Sequence, residues 1–152
     1  MSRASQIERV IAKGQLVALN FLQSDVAASQ TNAALTVAEV RDAAATADDQ
    51  NAADAYVIPW DFEIIGVSAR SSAARSAGTL TVEPLVNATA TGLTAALDAT
   101  TTQSTRSTQN RGADTGVAGD RVACRITTDG TWAPVTADIV VTVWVLVHIE
   151  GV

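Results

Sequence analysis

An almost unbroken apolar run over residues 139–149, close to the C-terminal end, constrains this chain more than any other feature. Most of its side chains are β-branched, which favours a strand over a helix. Side chains of a strand alternate between two faces, and here both faces are largely apolar. One face suits a domain core, and the other predicts a further layer or a second copy of the chain. That second face carries Val140, Thr142, Trp144, Leu146 and His148.

Several other segments share the period-two pattern of half-buried strands. They are residues 15–22, 62–70, 79–86 and 121–128. Pro84 predicts that the third of these lies at a sheet edge, because proline donates no backbone hydrogen bond. Asp129 and Gly130 predict a turn that joins the last two strands as a hairpin, and residues 100–116 are expected to form a long polar loop. Together these features indicate an all-β domain.

The N-terminal residues have a different character. Ser5 and Glu8 have the spacing of a helix capping box, and Gly14 marks the end of the short helix that they predict. A helix of two turns persists in water only when its apolar stripe is docked on something. That stripe consists of Ile7, Val10 and Ile11. Docking on the parent domain and docking on a neighbouring chain both stay open.

An acidic segment follows the first strand. Residues 25–63 contain eight acidic residues and a single base, Arg41. This segment is either a solvated loop or an arm that docks on a more basic neighbour, and the first reading is favoured. We therefore divide the chain into an N-terminal arm over residues 1–55, which contains the short helix, the first strand and an extended acidic segment, and a β-sandwich domain over residues 56–152.

Charge and hydropathy argue against two classes of partner. The chain of 152 residues has a net charge of −6, whereas nucleic-acid binding needs clustered lysine and arginine. As a helix, residues 139–149 would span about 16 Å, which is shorter than the bilayer core of about 30 Å. With no apolar leader in the first residues, we expect a soluble protein that is made in a cytoplasm.

Residues suited to catalysis or metal binding are scarce. The single histidine, His148, has no second ligand at zinc-site spacing, and Cys124 is expected to be a small buried hydrophobe. Trp60, Trp132 and Trp144 are either packing residues or a sugar platform, and packing is favoured. We expect no catalytic residue, no cofactor and no metal ion, so a hydrolytic or metal-dependent enzyme is the least favoured class.

Residues 56–149 nevertheless carry a recognisable pattern. Its parts are Pro59-Trp60-Asp61-Phe62, Ser68-Ala69-Arg70, Gly78-Thr79-Leu80-Thr81-Val82, Ala118-Gly119-Asp120-Arg121-Val122, Thr127-Thr128-Asp129, Trp132-Ala133-Pro134 and Ala137-Asp138-Ile139. In this pattern the chain resembles small β-sandwich structural proteins of tailed bacteriophages, in particular head decoration, or cement, proteins. The similarity is one of pattern and contains no diagnostic motif.

The resemblance implies a jelly-roll-like antiparallel β-sandwich that forms a homotrimer on the exterior of the virion capsid. Extended arms would bridge neighbouring major capsid proteins and so stabilise the shell. Candidate contact residues for this role are Ile7, Val10, Ile11, Trp60, Trp144 and Leu146. The alternative is a head-fibre or tail-tip protein that binds a host surface receptor or glycan through residues 100–116 and Trp132.

Overall fold

Residues 14–37 and 54–149 are described by the computed structural model, and the regular elements in these ranges are β-strands. In chain order they are β1 (Gln15–Gln23), β2 (Ala33–Ala34), β3 (Tyr56–Val57), β4 (Asp61–Ser71), β5 (Leu80–Val86), β6 (Thr89–Ala90), β7 (Ala95–Leu97), β8 (Ser104–Thr108), β9 (Asp114–Gly116), β10 (Arg121–Thr128) and β11 (Ile139–His148). The predicted all-β class is confirmed.

The strands form two antiparallel sheets. The β11 sheet has the order β1-β11-β4-β8, and β9 also pairs with β4. The β10 sheet has the order β2-β10-β5-β6, with β3 also on β10 and β7 also on β5. Two short strands that pair with the same long strand share one position in the sheet: β8 and β9 on β4, β2 and β3 on β10, and β6 and β7 on β5. Counted in this way, each sheet has four positions. β1, the first strand of the chain, pairs with β11, the last. This is the strand order of a jelly roll, which confirms the predicted sandwich.

The core lies between the two sheets and is filled by alternate residues of the long strands. From β11 come Ile139, Val141, Val143 and Val145, all at most 1% exposed. A register shift near Trp144 places Gly66 opposite Trp144 and Ile64 opposite Val145, so Ile65 is an extra residue in β4. This bulge lets both Ile64 and Val67 face the core, although they are three positions apart, an odd spacing that would place them on opposite faces of a regular strand.

The predicted arm is too long, because residues 15–37 belong to the sandwich. β1 pairs with β11 along its whole length, and Phe21, Val26 and Leu35 are completely buried. The segment has few bulky side chains, but the core uses these three as anchors. Residues 38–53, which carry half of the acidic residues of the acidic segment, and the predicted helix over residues 5–13 lie outside the described residues.

Contrary to the prediction from Pro84, β5 is not an edge strand. β10 pairs with one side of it, and β6 and β7 pair with the other. Cys124 stands opposite Pro84, and its carbonyl oxygen accepts the N–H of Leu35 at 3.0 Å on the far side of β10. Pro84 and Cys124 therefore exchange no hydrogen bond. The nitrogen of Pro84 faces the gap between β6 and β7. Its lack of an N–H group therefore removes no hydrogen bond from the pairing of β5 with its neighbours.

Two predictions about connections are also wrong. Residues 100–116 contain β8 and β9, which both pair with β4. These edge strands are short and rich in serine and threonine, so they show no apolar alternation. β10 and β11 do not form a hairpin, because they lie in different sheets and residues 129–138 cross between them.

Candidate functional site

Three large apolar side chains are exposed on two adjacent segments, the end of β3 with the loop after it and the loop before β10, at the end of the sandwich where β4 begins and β11 ends. Val57 is 61% exposed, Trp60 45% and Val117 61%. Backbone hydrogen bonds join the two loops: Ile58 N–H donates to the Asp120 carbonyl at 2.9 Å, and the N–H of Gly119 donates back to Ile58 at 2.8 Å. We call Val57, Trp60 and Val117 the end patch.

Two aspartates hold the loops of the end patch. Oδ2 of Asp120 accepts the N–H of Val117 at 2.8 Å, and its Oδ1 accepts Nδ2 of Asn87 at 2.7 Å. The hydrogen bond from Asn87 and then that from Val117 lower the pKa of Asp120. Asp61 similarly accepts the N–H of Ala118 at 2.9 Å. The patch is therefore presented on a hydrogen-bonded frame.

The described chain begins at the same end of the molecule. Gly14 lies so close to β11 that a Cβ on it would come within 2.8 Å of the Val147 carbonyl oxygen. His148, the next residue of β11, stands opposite Asp61, which directly follows Trp60. Gly14, the first described residue, thus lies at the same end of the sandwich as the end patch. The predicted contact residues Ile7, Val10 and Ile11 precede it and lie outside the described residues.

The other predicted tryptophan and leucine contacts lie on the outward face of the β11 sheet. Trp144 is 37% exposed, and its indole Nε1–H donates to Oγ of Ser68 at 3.3 Å. Leu146 is only 9% exposed, and its side chain packs beside Gly14. Trp144 therefore offers surface to a partner and Leu146 offers little. Trp132 is 2% exposed, so the hypothesis that it forms a sugar platform is wrong.

An open groove with a volume of about 770 Å³ lies on the same outward face. Its lining comes from β4, β8, β11 and the loop before β8. Arg70 stands opposite Ser104, and Arg106 stands opposite Ser68, so both arginines project from the outward face on neighbouring strands. Trp144 flanks the groove through its hydrogen bond to Ser68. The groove combines positive charge with hydroxyl groups, and the exposed ring of Trp144 lies beside it.

A buried carboxylate joins three elements beside this face. Glu63 accepts Nε of Arg111 at 2.7 Å and the N–H of Gly112 at 2.6 Å, and His148 Nε2 lies 3.1 Å from its Oε1. Burial raises the pKa of Glu63, but the bonds from Arg111 and Gly112 and the nearby positive charge outweigh burial, so the pKa is lowered overall. The cluster fixes the β8–β9 loop against β4 and β11.

The described residues contain little reactive chemistry. Cys124 is fully buried as predicted, and burial raises the pKa of its thiol to about 12. Within residues 14–37 and 54–149, no three histidine, cysteine or acidic side chains are grouped as metal ligands. No helix in the same ranges is long and apolar enough to cross a membrane.

Comparison with known proteins adds no family to this picture, because the sequence matches no protein-family model and no curated protein.

Sequence reasoning found Trp60 and Trp144 but missed their surroundings. Val57 and Val117 are separated by 60 positions in the chain, and their segments are brought together by the pairing of β3 with β10 and by the bonds of Ile58 to residues 119 and 120. The one available signal was a lone valine, Val117, in an otherwise polar stretch. Arg70 and Arg106 become neighbours through the register of β4 and β8, which no local pattern specifies.

Proposed function

We propose that the protein is a non-catalytic structural protein of a bacteriophage virion, which decorates the capsid exterior and stabilises it by bridging neighbouring major capsid proteins. The observation that carries this proposal is the end patch. Isolated exposed apolar residues are normal on a protein surface, but a cluster held on ordered loops is typical of a contact site. The patch includes the exposed Trp60, and tryptophan is among the residue types that most often dominate such contacts.

The position of Gly14 supports the same proposal. The first described residue, Gly14, lies at the same end of the sandwich as Asp61 and Trp60. We infer that the end patch and residues 1–13 contact the same partner, which would give a larger contact than either alone. Stable interfaces bury about 800 Å² on each partner, an area that three side chains do not supply. We propose that residues 1–13, with Ile7, Val10 and Ile11, provide the remainder.

Co-sedimentation with undecorated capsids tests the proposal. Trp60→Ser combined with Val117→Ser should weaken capsid binding about tenfold or more, because it removes the exposed apolar surface while the core is untouched. Val135→Ser is the matched control: Val135 is 50% exposed in the connection at the opposite end of the sandwich. Equal capsid binding by the double variant and this control would refute the role of the end patch.

We further propose that the protein acts as a homotrimer, with Trp144 at or near the contact between subunits. Val140 and Trp144 leave the outward face of β11 partly apolar, at 42% and 37% exposure. Light scattering and sedimentation at micromolar concentration, with and without capsids, test this state. A protein that stays monomeric under both conditions contradicts the trimer.

A second candidate function is that of a head-fibre or tail-tip protein that binds a host surface receptor or glycan. The groove beside Arg70 and Arg106 favours it, because Thr101 and β8 come from the segment in which such binding was expected. Capsid co-sedimentation separates the decoration role from a tail-tip role, since a tail-tip protein would not bind undecorated shells. For a head fibre the deciding measurement is binding of a receptor or glycan.

A further inference from the structure

We propose that the groove on the outward face of the β11 sheet binds an acidic saccharide, whose carboxylate or sulfate group is held by Arg70 and Arg106. The inference rests on the second candidate function, whose class of ligand it names, and not on the capsid role. It requires Val140 and Trp144 to be accessible, so this site and a subunit contact through Trp144 are alternatives. Its starting point is the groove of about 770 Å³, which lies within the usual range of ligand sites, about 300–1,000 Å³.

The two arginines differ from others in the molecule. Arg111 and Arg125 each pair with a glutamate at 2.6 Å, whereas Arg70, Arg75, Arg106 and Arg121 have no carboxylate partner within residues 14–37 and 54–149. Of these four, Arg70 and Arg106 line the groove. They are diagonal neighbours on adjacent strands, a relationship that places Cα atoms about 7–8 Å apart. Guanidinium groups bind planar oxyanions in a bidentate manner. Two unpaired arginines in a chain of net charge −6 therefore indicate an anionic ligand.

Hydroxyl groups supply the rest of the polar lining. Ser68, Ser104, Thr105 and Thr142 line the groove from three strands, and Thr101 lines it from the preceding loop. The loop is held in place, because Asp98 accepts the N–H of Thr101 at 3.0 Å and the hydroxyl of Thr101 donates to the Ala96 carbonyl at 2.7 Å. Hydroxyl side chains both donate and accept hydrogen bonds, which suits the many hydroxyl groups of a sugar.

The geometry favours a saccharide over an acidic peptide. Backbone polar groups of a sheet lie in its plane and are already paired at β4, so the face offers an extended peptide no ladder for its own backbone. The face offers side chains instead. Trp144, held beside the groove through Ser68, presents an exposed ring that can cover the C–H face of a sugar, and Val140 adds an apolar contact at 42% exposure.

Calorimetric titration of the full chain tests the site with four probes of similar length. They are a sulfated heparin tetrasaccharide, a tetragalacturonate, neutral maltotetraose and a tetraglutamate peptide. We expect binding of one or both acidic saccharides, weakening as salt is added, and at least tenfold weaker binding of maltotetraose. The two acidic sugars distinguish a sulfate site from a carboxylate site.

Arg70→Gln combined with Arg106→Gln should lower affinity for the acidic saccharide at least tenfold without changing the melting temperature, since both side chains are exposed. Arg121→Gln is the matched control, because Arg121 belongs to β10 in the opposite sheet. Trp144→Ala should also weaken binding. Any of three results would overturn the proposal. They are equal losses of affinity in the double variant and the control, tighter binding of tetraglutamate than of either acidic sugar, and binding of maltotetraose as tight as that of the acidic sugars. Retained capsid binding by the double variant would leave the decoration role intact.

Discussion

The indole Nε1–H of Trp132 donates a hydrogen bond of 3.1 Å to the carbonyl oxygen of Val26, a residue 106 positions earlier in the chain. Both residues are buried, at 2% and 0% exposure. The N–H of Val26 in turn donates to the Ala137 carbonyl at 3.0 Å. These bonds join the connection after β1 to residues 129–138, and so close the end of the sandwich that lies opposite the end patch.

Trp132→Phe should therefore destabilise the protein by about 1–3 kcal/mol, because it keeps an aromatic ring but leaves the buried Val26 carbonyl without its donor. Urea unfolding followed by circular dichroism measures the loss. Trp60→Phe is the control: Trp60 is 45% exposed, so its free energy of unfolding should change by less than about 0.5 kcal/mol. Similar values for the two variants would show that the bond to Val26 contributes nothing.

Cys124 should behave as a structural residue and not as a nucleophile. Its side chain is fully buried, and burial raises the pKa of the thiol to about 12, so the native protein should react with a thiol reagent only when it unfolds. Cys124→Ala should cost about 1 kcal/mol, as small core truncations do, and should leave capsid and saccharide binding unchanged. Rapid labelling of the folded protein contradicts this expectation.

The long strands could be predicted from sequence, and the short ones could not. β1, β4, β5, β10 and β11 have seven or more residues with apolar side chains at alternate positions, and their observed bounds lie within a residue or two of the predicted ones. β2, β3 and β6 have only two residues each. Two residues carry no periodicity, and their conformation is fixed by the strand on which they pair.

The surface sites are likewise only partly predictable from the sequence. Trp60 stands out in the sequence because a large aromatic residue follows a proline, but its exposure depends on how the loop packs. The pairing of Arg70 and Arg106 depends on a strand register, and the partners of Glu63 come from residues 111, 112 and 148. Such long-range contacts are products of the fold, so composition and spacing do not reveal them.

Glu63 should make stability depend on pH in the acid range. Its pKa in the folded protein is lowered from the ordinary value of 4.5, so the folded state favours the carboxylate. Its contribution is complete above that value and is lost as the pH falls through the folded-state pKa. Glu63→Gln should cost about 1–2 kcal/mol at neutral pH, since hydrogen bonds to a charged group are lost but Arg111 is half exposed and remains solvated.

The measurement for Glu63 is the difference in free energy of unfolding between the original protein and Glu63→Gln, followed from pH 7 down to about pH 3. This difference should shrink as the pH falls, because protonation removes the same charge that the substitution removes. Asp98, Asp120 and Asp129 also have lowered pKa values, but they are present in both proteins and largely cancel. A constant difference across the range would mean that the Glu63 carboxylate has no special stabilisation.

Alanine substitutions at two glycines of nearly the same backbone conformation distinguish the cost of steric crowding from the cost of backbone strain. Gly78 has φ +73° and Gly92 has φ +76°, a region that costs other residues about 1–2 kcal/mol. A Cβ on Gly78 would come within 2.4 Å of both the backbone nitrogen of Trp132 and Oδ1 of Asp129, whereas one on Gly92 would meet nothing within 4 Å.

Gly92→Ala should cost only the backbone strain of about 1–2 kcal/mol. Gly78→Ala should cost about 1–3 kcal/mol more, because the turn that carries Trp132 has to move. Urea unfolding of both variants gives the comparison, and equal losses would mean that this turn yields without cost.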